Sequence, residues 1–422
     1  MFIQKKYAQP FAMWLLPLLF FSYQFILRLW PGLMMHPIMQ QFSIDARHFG
    51  LMAAFYYFGY AGMQIPIACL MEKIPTKWIL FLFIMLCGIA TLLFTWTNNF
   101  YIACGCRFLI GAGSAAGFLG VSKVISEWFP AKNYSKMIAY SFSIGLLGAI
   151  YGGKPVSLLI DHFHWQRVAI ALSIAAIIIA TLNVLFLKAP AKNYGTIEKA
   201  DFKFKTLVRL LSSPEMVMLA MANLFMVGAL EGFSDVWGVP YLMTAYSIEK
   251  GTAAELISFI FFGMLFGGPV LTALGKRFGH YNIIAGCGLV MSFLFMLMLL
   301  TPYYSGPLLA CLFFLVGILC CYQVLVFTAG STLVKPQYLG VTIAFLNSVN
   351  MLGGSFFHTL IGTVMDFYRS GAGQYNLYSY HHALMVIPIF SALGAAILLV
   401  LNVQARLVTD LNLYPCELDV RD

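Results

Sequence analysis

Phe25-Ile26-Leu27-Arg28-Leu29-Trp30 and Val227-Gly228-Ala229-Leu230-Glu231-Gly232 each carry one charge deep inside an apolar stretch. Pro10 opens the stretch that holds Arg28, and Pro214 opens the one that holds Glu231. A charge at such depth costs at least about 2.5–3.5 kcal/mol on insertion scales, so a partner or a water-filled cavity is expected beside it. Opposite charges at matching depth in two halves of a chain point to a site at a pseudo-symmetry interface.

Around these stretches the chain of 422 residues is 61% hydrophobic and only 10% charged, with a mean hydropathy of +0.84. A soluble protein cannot hide that much apolar surface behind so few charges. Runs near the spanning length recur at 11–35, 48–71, 78–97, 100–126, 137–160, 167–187, 214–242, 253–274, 282–301, 306–330, 340–365 and 383–404. They predict an all-α membrane protein with twelve transmembrane helices. The alternating segments of a β-barrel are missing.

The net charge of +9 is a topology signal rather than a nucleic-acid patch. Loops on the N-terminal side hold 17 Lys and Arg residues, among them Lys73, Lys77, Lys132, Lys192 and Lys205, against 4 on the other side. The positive-inside rule then places both termini in the cytoplasm of a bacterium, with the chain in its inner membrane. Lys5 and Lys6 before an apolar run imitate a signal peptide, but the run is too long and lacks a cleavage site, so it is read as a retained helix. The cysteines have no metal-ligand or disulfide spacing and read as small apolar residues.

A polar, Lys-rich segment divides the chain. The expected domains are a six-helix bundle at 1–187, a cytoplasmic linker at 188–213, a second bundle at 214–407 and a cytoplasmic tail at 408–422. The halves echo each other. The turn with Glu72, Lys73 and Lys77 is matched by the turn with Lys276 and Arg277. Spans 5 and 11 each follow a proline, carry glycines and end in aspartate, Asp161 and Asp366. Gly145, Gly148 and Gly152 share one face of span 5, which is expected to pack closely on a helix of the other bundle.

These features resemble the major facilitator superfamily over essentially the whole chain. Arg107-Phe108-Leu109-Ile110-Gly111-Ala112-Gly113-Ser114-Ala115-Ala116-Gly117 matches the family's helix 4 best, and the resemblance links Arg107 with proton coupling. Glu72, Lys73 and Lys77 take the acidic and basic places of the helix 2–3 signature, whereas Lys276 stands where its second copy has an acid. The resemblance implies two pseudo-symmetric six-helix bundles and alternating access. Arg28 with Pro31-Gly32, Tyr56-Tyr57 before Gln64-Ile65-Pro66, and Asp235-Val236-Trp237-Gly238 resemble a bacterial branch related to proteobacterial intraphagosomal amino-acid transporters and lysosomal dipeptide carriers.

Within the spans, Gln24 and Arg28 lie one above the other at i, i+4, as do Glu231 and Asp235. Arg28 suits a substrate carboxylate, or else a fixed ion pair with Glu231 or Asp235. Glu231 suits a proton or an ammonium group, and Asp235 suits proton coupling or a gate near the outer end. Tyr56, Tyr60 and Gln64 form one stripe whose hydroxyls need partners in lipid, so a wet face is expected. Asn347, Asn350 and His358 form a second polar face. Lys123 is expected to snorkel, and Lys154, opposite the glycine face of its span, to line the pathway.

Walker, Ser/His/Asp and metal-ligand patterns are missing, so no enzyme, cofactor or metal is expected. The expectation is a proton-linked secondary transporter in a lipid bilayer, monomeric, moving a small polar molecule and binding no nucleic acid. Arg28 and Glu231 as two ends of a zwitterion site put an amino acid or short peptide first. An organic anion or carboxylate siderophore is the alternative, drug efflux comes third, and a non-transporting membrane receptor is the rival class.

Overall fold

The computed structural model describes residues 5–190, 211–300, 305–335, 338–369 and 375–410. Most of the expected linker and tail therefore lies outside the described residues. Twelve long helices follow in chain order: α1 (Lys5–Leu33), α2 (Ala46–Lys73), α3 (Thr76–Trp96), α4 (Phe100–Trp128), α5 (Lys136–Phe163), α6 (Trp165–Phe186), α7 (Pro214–Tyr246), α8 (Lys250–Phe278), α9 (His280–Leu300), α10 (Gly306–Thr332), α11 (Leu339–Phe367) and α12 (Leu377–Gln404). A short helix, Met35–Phe42, continues α1. Each expected span overlaps one of these helices.

Local chemistry sets the boundaries. Asp45 accepts the His48 N–H at 2.8 Å to start α2, and Asn99 accepts those of Tyr101 and Ile102 to start α4. Ser213 caps α7, with Pro214 in its first turn, where the missing N–H costs nothing. Gly279, at φ 87, ends α8 in a conformation that favours glycine.

Eleven of the described helices are both long and apolar enough to cross a membrane. The helix that falls short on hydropathy is α2, although its 28 residues span about 42 Å. Its polar and small residues, Tyr56, Tyr57, Gly59, Tyr60 and Gln64, are all buried. It is too polar for lipid because that face never meets lipid.

The halves pack alike. In the first, α2 lies on α4, α3 on α6, and α1 on α5; in the second, α8 lies on α10, α9 on α12, and α7 on α11. Glycines bring the helices of the first pairing together in both halves. A Cβ on Gly59 would stand 2.0 Å from the Phe108 carbonyl, and one on Gly111 would stand 1.8 Å from that of Tyr56. The second half repeats this, with Gly263 against the Phe314 carbonyl at 2.0 Å and Gly317 against that of Ile260 at 1.9 Å. Nothing larger than hydrogen fits at these crossings.

The bundles meet chiefly through α2 with α11 and α5 with α8. We call the membrane end that carries Lys5 proximal and the other end distal. Bonds between bundles gather in the middle and distal levels: Ser348 and Ser355 of α11 donate to the Ala61 and Ala54 carbonyls of α2, and Lys154 of α5 pairs with Glu255 of α8 at 2.5 Å. In the proximal halves of α2, α8 and α11, Gly62, Gly268 and Gly340 face open space.

Three expectations need correction. Gly145, Gly148 and Gly152 do not face the other bundle. They seat α5 on α1 of the same bundle, where a Cβ on Gly148 would stand 2.0 Å from the Ser22 carbonyl. Only the neighbouring Gly153 approaches α8, at 2.7 Å from Ser258 Oγ. Lys154 lines no pathway, since its half-exposed ammonium forms the rim pair with Glu255. Lys123 does more than snorkel: it reaches Glu72 at 2.8 Å and ties the proximal ends of α4 and α2 together. Lys73 is exposed, Lys77 lies over Trp78, and Arg277 lies over Phe278 next to exposed Lys276.

Candidate functional site

Where α1 faces α7, the two opening charges meet. Arg28 Nη2 lies 2.7 Å from Glu231 Oε2, close but off the hydrogen-bonding direction. The better partner is Asp235, whose carboxylate takes Arg28 through Nε at 2.5 Å and Nη2 at 3.2 Å. A planar guanidinium favours such a two-point grip. Asp235, expected either to couple protons or to gate the outer end, is thus the main counter-ion. All three groups are buried. Three charges together in so dry a place are tolerable only because each carries a partner.

The local fold of α7 makes this possible. Val227–Ala229 tightens to 3-10 geometry and Leu230–Trp237 widens to a π-helix. The Ser234 hydroxyl accordingly donates five residues back, to the Ala229 carbonyl at 2.9 Å. Gly228 and Gly232 leave room for the Phe357 side chain of α11, which a Cβ on Gly228 would meet at 2.6 Å. Wide turns of this kind recur at functional sites.

Neighbouring helices complete the shell. Tyr57 donates its hydroxyl to Asp235 Oδ2. Asn350 Nδ2 donates to Glu231 Oε1 at 3.4 Å. Tyr57 also packs its ring on His358, at 5.0 Å between centroids. His358 is fully buried and neither ring nitrogen has a partner. Tyr57→Phe is expected to cost about 1–3 kcal/mol, because it strips a donor from a buried carboxylate. A fall in the thermal midpoint of the purified protein would show it, and an unchanged midpoint would count against the bond.

Beside this cluster, against the same stretch of α1, stands Arg107 of α4. It too is buried, yet among the described residues it forms no ion pair. Its Nη1 donates to the Leu27 carbonyl at 2.9 Å, and its guanidinium lies 4.9 Å from the Tyr56 ring centre and 5.9 Å from that of Trp30. Its Nε and Nη2, and the indole N–H of Trp30, lack partners. Tyr56 donates to Gln24 Oε1 at 2.9 Å, and Tyr60 stacks obliquely on Tyr56.

The structure therefore gathers Gln24, Arg28, Tyr56, Tyr60, Arg107, Glu231, Asp235 and Asn350 into one interior region, with Gln64 buried further along the α2 stripe. Asn347 is half-buried. Sequence reasoning passed over Tyr57 because it lies beside the Tyr56, Tyr60, Gln64 stripe rather than on it. Its position next to Tyr56, on a span too polar to face lipid all round, was the available signal.

Comparison with known proteins accords with this architecture. Residues 15–358 match the sequence model of the Major Facilitator Superfamily. The chain is 26% identical over 149 residues to the uncharacterized transporter YybO of Bacillus subtilis, covering 35% of this chain and 33% of that protein. It is 24% identical over 309 residues to the hexuronate transporter of Escherichia coli, covering 66% and 69%. Among solved structures, a bacterial homolog of the human lysosomal transporter Spinster, inward-facing and occupied, superposes with a TM-score of 0.74 at 17% identity, covering 93% of this chain and 97% of that one. With a family match over most of its length and the matching twelve-helix fold, this multi-pass membrane protein belongs to the major facilitator superfamily.

Proposed function

We propose that the protein moves a small organic anion across a bacterial inner membrane by alternating access, with Arg107 as the carboxylate anchor. One observation carries this reading: Arg107 is a fully buried cation with two unpaired guanidinium nitrogens and no ion pair among the described residues. A buried donor left unmade is costly, so an incoming carboxylate gains what the empty site lacks. Arg28, by contrast, is already held by Asp235 and Glu231. The same pairing argues against an amino acid, because Glu231 would have to leave Arg28 before it held an ammonium. A relative named as a hexuronate transporter, which carries a sugar acid, supports the anion.

Glu231 and Asp235 then serve the proton. Two carboxylates share one guanidinium, so a proton on either leaves Arg28 its remaining partner, and the pair loads and unloads without stranding a bare charge. The lysine and arginine bias of the proximal loops supports that end as cytoplasmic.

Thermal stabilisation of the purified protein by a panel of sugar acids, dicarboxylates and amino acids tests the substrate class. Sugar acids or dicarboxylates are expected to stabilise, and Arg107→Gln is expected to weaken that binding on the order of 100-fold, the worth of a charge-assisted pair of bonds. Stabilisation by amino acids alone, or full anion binding by Arg107→Gln, would overturn the assignment.

A further inference from the structure

At the distal end, two aspartates that close corresponding helices of the two halves each reach across to the other bundle. Asp366 of α11 accepts the backbone N–H of Arg47 at 3.0 Å through Oδ2, and the Tyr375 hydroxyl at 2.5 Å through Oδ1. That hydroxyl in turn accepts the N–H of Ala46 at 2.8 Å. Ala46 and Arg47 open α2, and the first N–H groups of a helix have no partner inside it. The start of α2 is therefore capped from two sides: by its own Asp45 on His48, and by the opposite bundle on Ala46 and Arg47. At the other seam, Asp161 of α5 lies 2.5 Å from Lys250, the residue that opens α8.

The two contacts are related by the repeat, since α5 corresponds to α11 and α8 to α2. Both sit where backbones crowd. A Cβ on Gly362 would stand 2.4 Å from the Ala46 carbonyl, and one on Gly153 would stand 3.2 Å from that of Ala254. Burial first, and then the bond to Asp366, push the Tyr375 hydroxyl up to about 12, so at neutral pH it stays a donor. Asp45, Arg47, His48 and Arg369 are the other charged or titratable groups near that seam.

We propose that Asp161 and Asp366 are paired clasps of the distal gate, each ending the inner helix of one half and holding the first turn of a helix in the other. The proposal rests on the alternating-access reading of the chain. Closing the clasps shuts the distal end while the proximal end stands open; releasing them frees both seams together. Both clasps lie at the water-facing end of the bundles and are only partly covered, so each is weak, as a gate that must reopen requires. Water replaces the bonds at once when the bundles part.

Hydrogen–deuterium exchange of the full-length protein in nanodiscs tests this without any substrate, so it passes or fails independently of the organic-anion reading. Asp366→Asn and Asp161→Asn are each expected to shift the conformational balance several-fold. Exchange should quicken in the distal segments 43–50 and 250–258, and slow in the proximal segments 62–75 and 268–280. The reciprocal swap of Asp161→Lys with Lys250→Asp is expected to return both ends towards the wild-type pattern. Unchanged exchange, or faster exchange at both ends together, would reduce the contacts to local packing and overturn the proposal. So would a swap that behaves like the single variant.

Discussion

Arg28→Met is expected to lower the unfolding free energy by about 3–5 kcal/mol, the usual consequence of removing one partner from a buried charge group. Glu231 and Asp235 would then face each other with no cation between them. Tyr57 and Asn350 would still donate one bond to each. Those two bonds are too few for two carboxylates in a dry interior. The measurement is thermal or denaturant unfolding of the purified protein, with folded yield as a first indication. Adding Glu231→Gln and Asp235→Asn is expected to restore most of the loss, since neutral amides of the same shape need no counter-ion. That triple variant separates structure from transport: it should fold and still fail to accumulate its cargo against a gradient. A stable single variant would show that Arg28 is not the centre of the cluster.

Gly111→Leu or Gly317→Leu is expected to abolish the folded protein. Overpacking a core ordinarily costs about 1–3 kcal/mol, because side chains can move aside. Here the obstacle is backbone. The Tyr56 carbonyl would stand 1.8 Å from a Cβ at Gly111, and the Ile260 carbonyl would stand 1.9 Å from one at Gly317. The helices would have to part, and each is held by the rest of its bundle. Gly105→Ala and Gly286→Ala, where a Cβ meets nothing within 4 Å, are the controls and should express as wild type. Monodisperse elution in detergent reports the difference. A well-folded Gly111→Leu would mean that α2 and α4 are not locked as described.

Much of the fold was legible because lipid leaves a chain few options. The spans and the twofold repeat follow from hydropathy, from the prolines Pro10 and Pro214 that open matching stretches, and from matching turns. The second span tested that logic most. By hydropathy α2 is marginal, yet its tyrosines and Gln64 are the ones turned inward.

The site was legible in its members rather than in its pairings. Arg28, Glu231, Asp235 and Arg107 stand out as charges in apolar runs. Which acid grips Arg28 depends on the π-turn between Leu230 and Trp237, a departure from helical spacing that no residue type announces. The glycine face of α5 misled for a similar reason. Its spacing shows that a helix comes close but not which one, and the visitor is α1. Lys123 and Lys154 gave no sign of their partners because Glu72 and Glu255 lie far away in sequence.

The four charged side chains buried among the described residues, Arg28, Arg107, Glu231 and Asp235, include two of each sign. Their formal charges cancel. Each elementary charge carried across the membrane potential is worth about 2.3 kcal/mol per 100 mV. With both carboxylates ionised and the site empty, the interior offers that potential no net charge to pull on. Any current in a working cycle must then come from the passengers. A monovalent anion travelling with one proton would be electrically silent, and a second proton would make the voltage part of the driving force.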